Sequence, residues 1–406
     1  MDRAHRVMEE CARIAQMTEE PGRITRRYLT PPMHAVHSHL RERMESLGMR
    51  VNVDAAGNLR GRWEPTKTPR RRILIGSHLD SVPNAGAFDG VLGMAVALEW
   101  VLLAKQLNLA VPIEVIGFSE EEGVRYGVPF IGSRAVAGCF DPALLELLDS
   151  DGVSLEQTIR HFGLDPTTMD QAATDQDVIG FVEVHIEQGP VLDAERLNVA
   201  AVTGIVGQSR GTVAFDGHAN HAGTTPMHLR RDALAAAAEW ISTVEEHALR
   251  AEGMVATVGK IIAEPNAANV IPGAVEVTLD CRHADDAART SALNALLAQA
   301  GEVAGRRRLS MRWNELMDQP SVPMDQGLTA LLADAIVEAG LPEKRMTSGA
   351  GHDAMIMASR VPSTMLFVRS PGGISHDPAE SVLVEDVEAS LHVARRFLER
   401  LASNVR

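Results

Sequence analysis

Cysteine is scarce in this 406-residue chain: Cys11, Cys139 and Cys281 are widely spaced, and none forms a C-x-x-C pair. An odd, sparse set of this kind does not build a disulfide framework and fits reduced, structural thiols in a cytoplasm. Long apolar runs are missing too. None approaches the roughly 18 residues of a membrane-spanning helix. The opening stretch MDRAHRVMEECARIAQM is an amphipathic, partly acidic helical pattern, which differs from a signal peptide. Positive charge is in short supply, with 39 Lys and Arg against 54 Asp and Glu and a net charge of −15. That balance argues against nucleic acid and anionic membrane as partners. An anionic substrate would need local cations. Repeats and low-complexity segments are absent as well.

What remains is an ordinary globular composition, 45% hydrophobic and 23% charged, in a chain long enough for two domains. Residues 1–70 read as two helices and a strand pair around VNVDAAGNLRGRWE, turning at Gly57-Asn58. Three apolar runs then end in polar residues: RRILIGSHLD, PIEVIGFSEEEG and VIGFVEVHIEQGP. Helical stretches, notably 90–107, separate them. This alternation predicts an α/β domain with a mixed, largely parallel sheet, whose ligand site lies beyond the carboxyl ends of the strands. From about residue 207 the rhythm becomes β-α-β-β-α-β, the order of a ferredoxin-like unit. After Pro320 the α/β character returns, with helices expected over 325–340 and 383–402. The expected division is a catalytic domain in two parts, 1–208 and 321–406, interrupted by an α+β insert over 209–320.

Five residues of metal-ligand type fall at the ends of strand-like runs or in glycine-rich loops. They are His78 in GSHLD, Asp89 in AFDG, Glu122 in SEEEG, His185 in EVHIEQGP and His376 in GISHDP. Two imidazoles and a carboxylate are the usual protein share of one catalytic zinc. Five ligands with one bridging carboxylate suffice for two neighbouring ions that act on a hydrolytic reaction. Each residue also has a plainer reading. His78-Leu79-Asp80 fits a surface turn, or a histidine whose second nitrogen is held by Asp80. Asp89 fits a helix N-cap. Glu120, Glu121 and Glu122 fit a solvated acidic turn, or a site where one carboxylate ligates and another is a general base. His185 alternates with Glu183 and Glu187, as on a half-exposed strand. In the insert, GHANHAGTTPM offers histidines, among them His221, able to donate to a developing oxyanion. The same stretch fits a loop leading to a helix near Leu229 capped by Thr225. Arg282 is a candidate fork for a substrate carboxylate, and Asn269 in NVIPG a candidate amide contact. The joint occurrence of these residues at matching strand ends favours the site over the plainer readings.

Taken in order, GSHLDSVPNAGAFDG, FSEEEGVR, EVHIEQGP, GHANHAGTTPM, NVIPG, LDCRH, SGAGHDA and GGISHDPAE resemble the amidohydrolase branch of the aminoacylase and glutamate-carboxypeptidase clan. That branch holds allantoate amidohydrolases, N-carbamoyl-L-amino-acid hydrolases, ureidoglycolate amidohydrolases and β-alanine synthases, and the resemblance spans nearly the whole chain. It implies an aminopeptidase-like catalytic domain with an inserted lid that also forms a homodimer. It implies two divalent ions, Zn²⁺ or Mn²⁺, one on His78, Asp89 and His185 and the other on Asp89, Glu122 and His376. Glu121 would be the general base, and Asp80 would orient His78. His221 would stabilise the oxyanion, reaching the partner subunit's site. Gln188, His221, Asn269 and Arg282 would bind a small ureido or carbamoyl carboxylate, with Arg282 on its carboxylate. The expected reaction is metal-dependent hydrolysis of a carbamoyl or ureido C–N bond that releases ammonia and CO₂. The alternatives are an aminoacylase or dipeptidase of the same clan, or a non-catalytic dimeric binding protein.

Overall fold

A computed structural model describes residues 2–65 and 71–404. The chain forms two compact units, Met1–Thr203 with Pro323–Arg406, and Gly204–Val322. The divisions thus fall at 203/204 and 322/323, where the sequence suggested 208/209 and 320/321.

The first unit is built on a mixed sheet. In spatial order its strands are Arg50–Val53, Leu59–Trp63, Ile113–Phe118, Arg72–His78, Val178–Ile186, Ser363–Val368, Val199–Ile205 and Val322–Pro323; Arg345–Ser348 pairs with Val199–Ile205. The four central strands run parallel, and their neighbours on either side run antiparallel. The apolar runs explain this placement. Ile113–Phe118, Arg72–His78 and Ser363–Val368 are buried at every position, the state of strands covered on both faces. Val178–Ile186 is buried throughout except at Ile179, so the half-exposed strand suggested by alternation of Glu183, His185 and Glu187 is not observed. Its central position, not an aqueous face, surrounds those residues. Helices Arg3–Ala15, Val91–Gln106, Gln326–Glu338 and Val384–Asn404 share one core with the sheet. In register, His78 stands opposite Phe118 and His185 opposite Phe367. The carboxyl ends of the parallel strands therefore finish level.

The second unit has its own core around Val213, Phe215, Trp240, Val277, Leu279 and Leu296. Strands Ile261–Glu264, Ala274–His283, Gly207–Asp216 and Ser310–Gln319 form an antiparallel sheet in that order, with Val255–Thr257 also on Ala274–His283. Buried positions alternate along Gly207–Asp216, so one face is covered, by helices Ala233–Arg250 and Asp286–Arg307. The helix expected near Leu229 with a Thr225 cap begins instead at Ala233. Asp232 caps it, its side chain accepting from Ala235 N, while 227–229 form a single 3₁₀ turn. A short ribbon pairs Asn220–His221 with Val270–Ile271. Among the described residues no helix is long and apolar enough to cross a membrane.

Candidate metal centre

The carboxyl ends of three parallel strands carry the centre. His78 ends its strand, His185 lies one residue before the end of the next, and Ser119–Glu122 follow the third. Each histidine is anchored by its outer nitrogen to a main-chain carbonyl. His78 Nδ1 lies 3.0 Å from Asp80 O, and His185 Nδ1 lies 2.9 Å from Ile186 O. Those bonds consume the Nδ1 protons and leave the Nε2 lone pairs facing inward, the tautomer a metal-binding imidazole adopts. The two Nε2 atoms are 3.3 Å apart. Asp89 Oδ1 lies 3.5 Å from His78 Nε2 and 3.2 Å from His185 Nε2.

Asp89 does not cap a helix. The residue before helix Val91–Gln106 is Gly90, at φ 66°, and the Asp89 carboxylate turns into the site. Glycine is required at position 90 because a Cβ there would come within 2.6 Å of the His78 ring. The second carboxylate oxygen, Oδ2, is 3.2 Å from His376 Nε2, and that nitrogen is 3.6 Å from Glu122 Oε1. His78, Asp89 and His185 form one group whose donor atoms all lie within 4.8 Å of one another; Asp89, Glu122 and His376 form a second, and His78, Glu121 and Glu122 a third. Asp89 Oδ1 and Glu122 Oε1 are buried without a hydrogen-bond donor. Convergent lone pairs at these distances repel one another unless a cation or proton lies between them. Imidazole and carboxylate donors of this number fit divalent ions such as Zn²⁺.

The electrostatics agree. Burial opposes charge on His78 and His185, yet the Asp89 carboxylate, joined by Glu121 and Asp80 at His78 and by Glu183 at His185, outweighs it and holds both imidazoles above their ordinary value. Burial likewise opposes ionisation of Asp89, but the three imidazoles hold its pKa well below the usual carboxylate range. Positive charge is therefore favoured at the point they share. Burial, with Asp89 beside it, raises Glu122 to about 7. Burial, reinforced by Glu122, Asp353 and Asp80, holds Glu121 well above the ordinary value against the pull of His78.

Asp80 meets His78 through its main chain. Its carbonyl, not its carboxylate, receives His78 Nδ1, and the carboxylate lies 3.9 Å from that nitrogen. Both carboxylate oxygens instead accept main-chain N–H groups at 3.1 Å, from Glu121 and from Glu122. Asp80 thereby fixes the turn that presents the two glutamates. Gln188 lies beside the Asp89 carboxylate. At φ 57°, it directs its side-chain nitrogen to Asp89 Oδ2 and to Ser375 Oγ, both at 3.1 Å, and so orients the shared carboxylate.

His221, Asn269 and Arg282 belong to the second unit. The short ribbon brings the first two together: His221 pairs with Val270, and Ala222 N donates to Asn269 O at 2.9 Å. His221 Nδ1 accepts from Gly223 N at 3.1 Å and Thr224 N at 3.2 Å. Its proton therefore sits on Nε2, on an exposed ring able to donate. Arg282 lies near the end of its strand, bidentate on Asp280 with both contacts at 2.9 Å. Sequence reasoning assigned nothing to Glu183, Asp353 or Glu380. Glu183 accepts from Ser77 Oγ and Ala354 N, and Asp353 is a fully buried acid whose pKa burial and Glu183 raise. The only signal for Asp353 and Glu380 is their presence in SGAGHDA and GGISHDPAE.

The model of the peptidase family M20/M25/M40 matches residues 74–400. The chain belongs to that family. It is 37% identical to an N-carbamoyl-L-amino acid amidohydrolase of Geobacillus stearothermophilus, over 99% of both chains. It is 35% identical to an allantoate amidohydrolase of Escherichia coli, over 94% of this chain and 93% of that one. Among solved structures, an amidase of the hydantoinase/carbamoylase family from Burkholderia multivorans superposes with a TM-score of 0.92 at 32% identity, covering 98% of this chain and 97% of the other.

Proposed function

We propose that this M20-family enzyme is a binuclear metal-dependent amidohydrolase. Its substrate is a small carboxylate bearing a ureido or carbamoyl group, of the allantoate or N-carbamoyl-L-amino-acid class. The observation that carries this reading is the pair of donor triads joined through Asp89, with the buried Glu121 carboxylate beside them. His78, Asp89 and His185 would hold one divalent ion, and Asp89, Glu122 and His376 the other. Such ions supply a Lewis acid for the carbonyl and a lowered pKa for water.

The protein's own groups handle protons and orientation. Glu121 accepts a proton from the attacking water, a role suited to a carboxylate whose pKa burial raises above the ordinary value. It then delivers that proton to the leaving nitrogen as the C–N bond breaks. The amine and a carbamate separate, and the carbamate decays to CO₂ and ammonia. His221, protonated on Nε2, donates to the oxyanion as negative charge develops there. Arg282 turns its planar fork from Asp280 to the substrate carboxylate, Asn269 and Gln188 add amide contacts, and Gln188 also keeps Asp89 in place. The second unit acts as lid and dimerisation module, and each His221 serves the partner's site.

The test is ammonia release from allantoate, ureidoglycolate and a panel of N-carbamoyl amino acids, alongside N-acyl amino acids and dipeptides, with Mn²⁺ or Zn²⁺ supplied. Turnover confined to the ureido and carbamoyl substrates is expected. Faster hydrolysis of dipeptides or acyl amino acids would replace the reading with an aminoacylase or dipeptidase. In Arg282→Ala the KM should rise about tenfold with kcat little changed, the mark of lost ground-state binding. An unchanged KM removes Arg282 from the substrate site.

A further inference from the structure

We propose that Glu380 is a positioning residue that fixes the Asp89 segment against the His376 loop, and so sets the affinity of the outer metal position. This inference rests on the two-ion reading above. The inner triad needs no such help, because His78 and His185 stand on paired central strands and their rings are pinned by carbonyls. The outer triad is different. His376 lies in a loop after two glycines, Gly372 and Gly373, its own backbone is at φ 57°, and its side chain is 49% exposed. Packing around the ring therefore does little to hold Nε2 at its 3.2 Å from Asp89 Oδ2.

Glu380 spans this gap from the same loop. Its Oε1 accepts main-chain N–H groups from Phe88 at 2.8 Å and Asp89 at 3.0 Å, across a sequence separation of 292 and 291 residues. Its Oε2 lies 3.5 Å from Ser375 Oγ, and that hydroxyl is 3.3 Å from Asp89 Oδ2. One buried carboxylate thus ties the main chain of a shared ligand to the residue preceding His376. Room for it is reserved, since a Cβ on Gly86 would come within 2.4 Å of Glu380 Cβ and Oε1. The two N–H groups of a metal-bearing loop are satisfied from the opposite segment, as outer-sphere partners of metal ligands commonly do.

The test compares full-length wild type with Glu380→Ala, Glu380→Gln and Ser375→Ala. Mn²⁺ is titrated into metal-free protein by calorimetry, and amide exchange is followed at Phe88 and Asp89 without metal. Wild type should take up two ions. In Glu380→Ala the first ion should bind within about threefold of wild type and the second about tenfold or more weakly, the scale of outer-sphere losses. The two amides should also exchange faster. Glu380→Gln keeps an acceptor for both N–H groups and a donor for Ser375, and should stay within about threefold for both ions. Ser375→Ala, a smaller change that keeps the folded state if Glu380→Ala does not, should weaken the second ion only. An unchanged second affinity in Glu380→Ala or Ser375→Ala, or equal loss of both ions from a folded variant, overturns the inference while leaving the two-ion reading. Uptake of one ion by wild type overturns both.

Discussion

Glu114 and Glu121 lie at opposite ends of one stretch of chain, strand Ile113–Phe118 and the turn after it, and both are buried. Their surroundings differ. Glu114 lies between two guanidinium groups, with Arg60 Nε at 2.8 Å and Arg72 Nε at 2.6 Å. Burial favours its neutral form, but the two arginines outweigh that and hold it below the ordinary carboxylate value. At the other end Glu120, Glu121 and Glu122 meet main-chain N–H groups and imidazoles, and burial raises all three. Arg125, the nearest arginine in sequence, sends its guanidinium to Asp149 and Tyr28 O. One end of the sheet carries its own countercharge. The other concentrates carboxylates around imidazoles rather than pairing each with a guanidinium, the kind of arrangement that would suit a metal centre.

Four measurements separate the two glutamate environments. Stripping divalent ions with a chelator should abolish hydrolysis, and Mn²⁺ or Zn²⁺ should restore it. Each ion at a hundredfold over its Kd should also stabilise the fold by about 2.7 kcal/mol, read as a higher Tm. Activity that survives chelation would end the contrast. Next, Arg72→Met leaves Glu114 short of a buried partner and should cost about 3–5 kcal/mol in denaturant unfolding, with kcat per folded molecule unchanged. A loss below about 1 kcal/mol would reduce the Arg72 pair to a surface-type contact. Third, Glu121→Gln should lower kcat by about 10²-fold or more while metal content stays at wild type; a near-normal rate would remove Glu121 as the base.

The smallest effect concerns pH. Glu114 has a folded pKa below 4.5, so its stabilising contribution is present above pH 4.5 and fades as pH falls through the folded value. Glu120 runs the other way in metal-free protein. Burial, with Asp80 nearby, raises it from 4.5 to about 8. Its contribution is complete below pH 4.5 and is lost as pH rises through about 8. In thermal melts of metal-free protein, Glu120→Gln should flatten the decline over that interval. An identical slope would show that Glu120 does not titrate there.

The sequence made one end of the molecule far more readable than the other. His78, Glu122 and His185 were legible because apolar runs mark buried strands and parallel strands finish together, so polar residues at their ends converge. Asp89 was harder to read, since an aspartate before a helix is ordinarily a cap; only the turn at Gly90 directs it inward. The neighbourhood of Asp80 and His78 was legible from their spacing, but spacing along a strand end does not distinguish a carbonyl partner from a carboxylate. Glu380 and Asp353 were not legible as partners, for their contacts join segments that lie far apart in sequence. The Arg60–Glu114–Arg72 cluster was equally hidden, since its members lie on three different strands.

The carbonyl anchors on His78 and His185 carry one further consequence. A ring whose far nitrogen is committed to the main chain cannot swivel or exchange tautomers without breaking that bond, so neither imidazole is free to relay protons. If Glu121 is the base, the acidic limb of a rate–pH profile should report either that glutamate or loss of ions from these imidazoles, and excess Mn²⁺ should shift only the latter. The histidines are fixed pillars, and acidification should act on them chiefly by evicting whatever they hold.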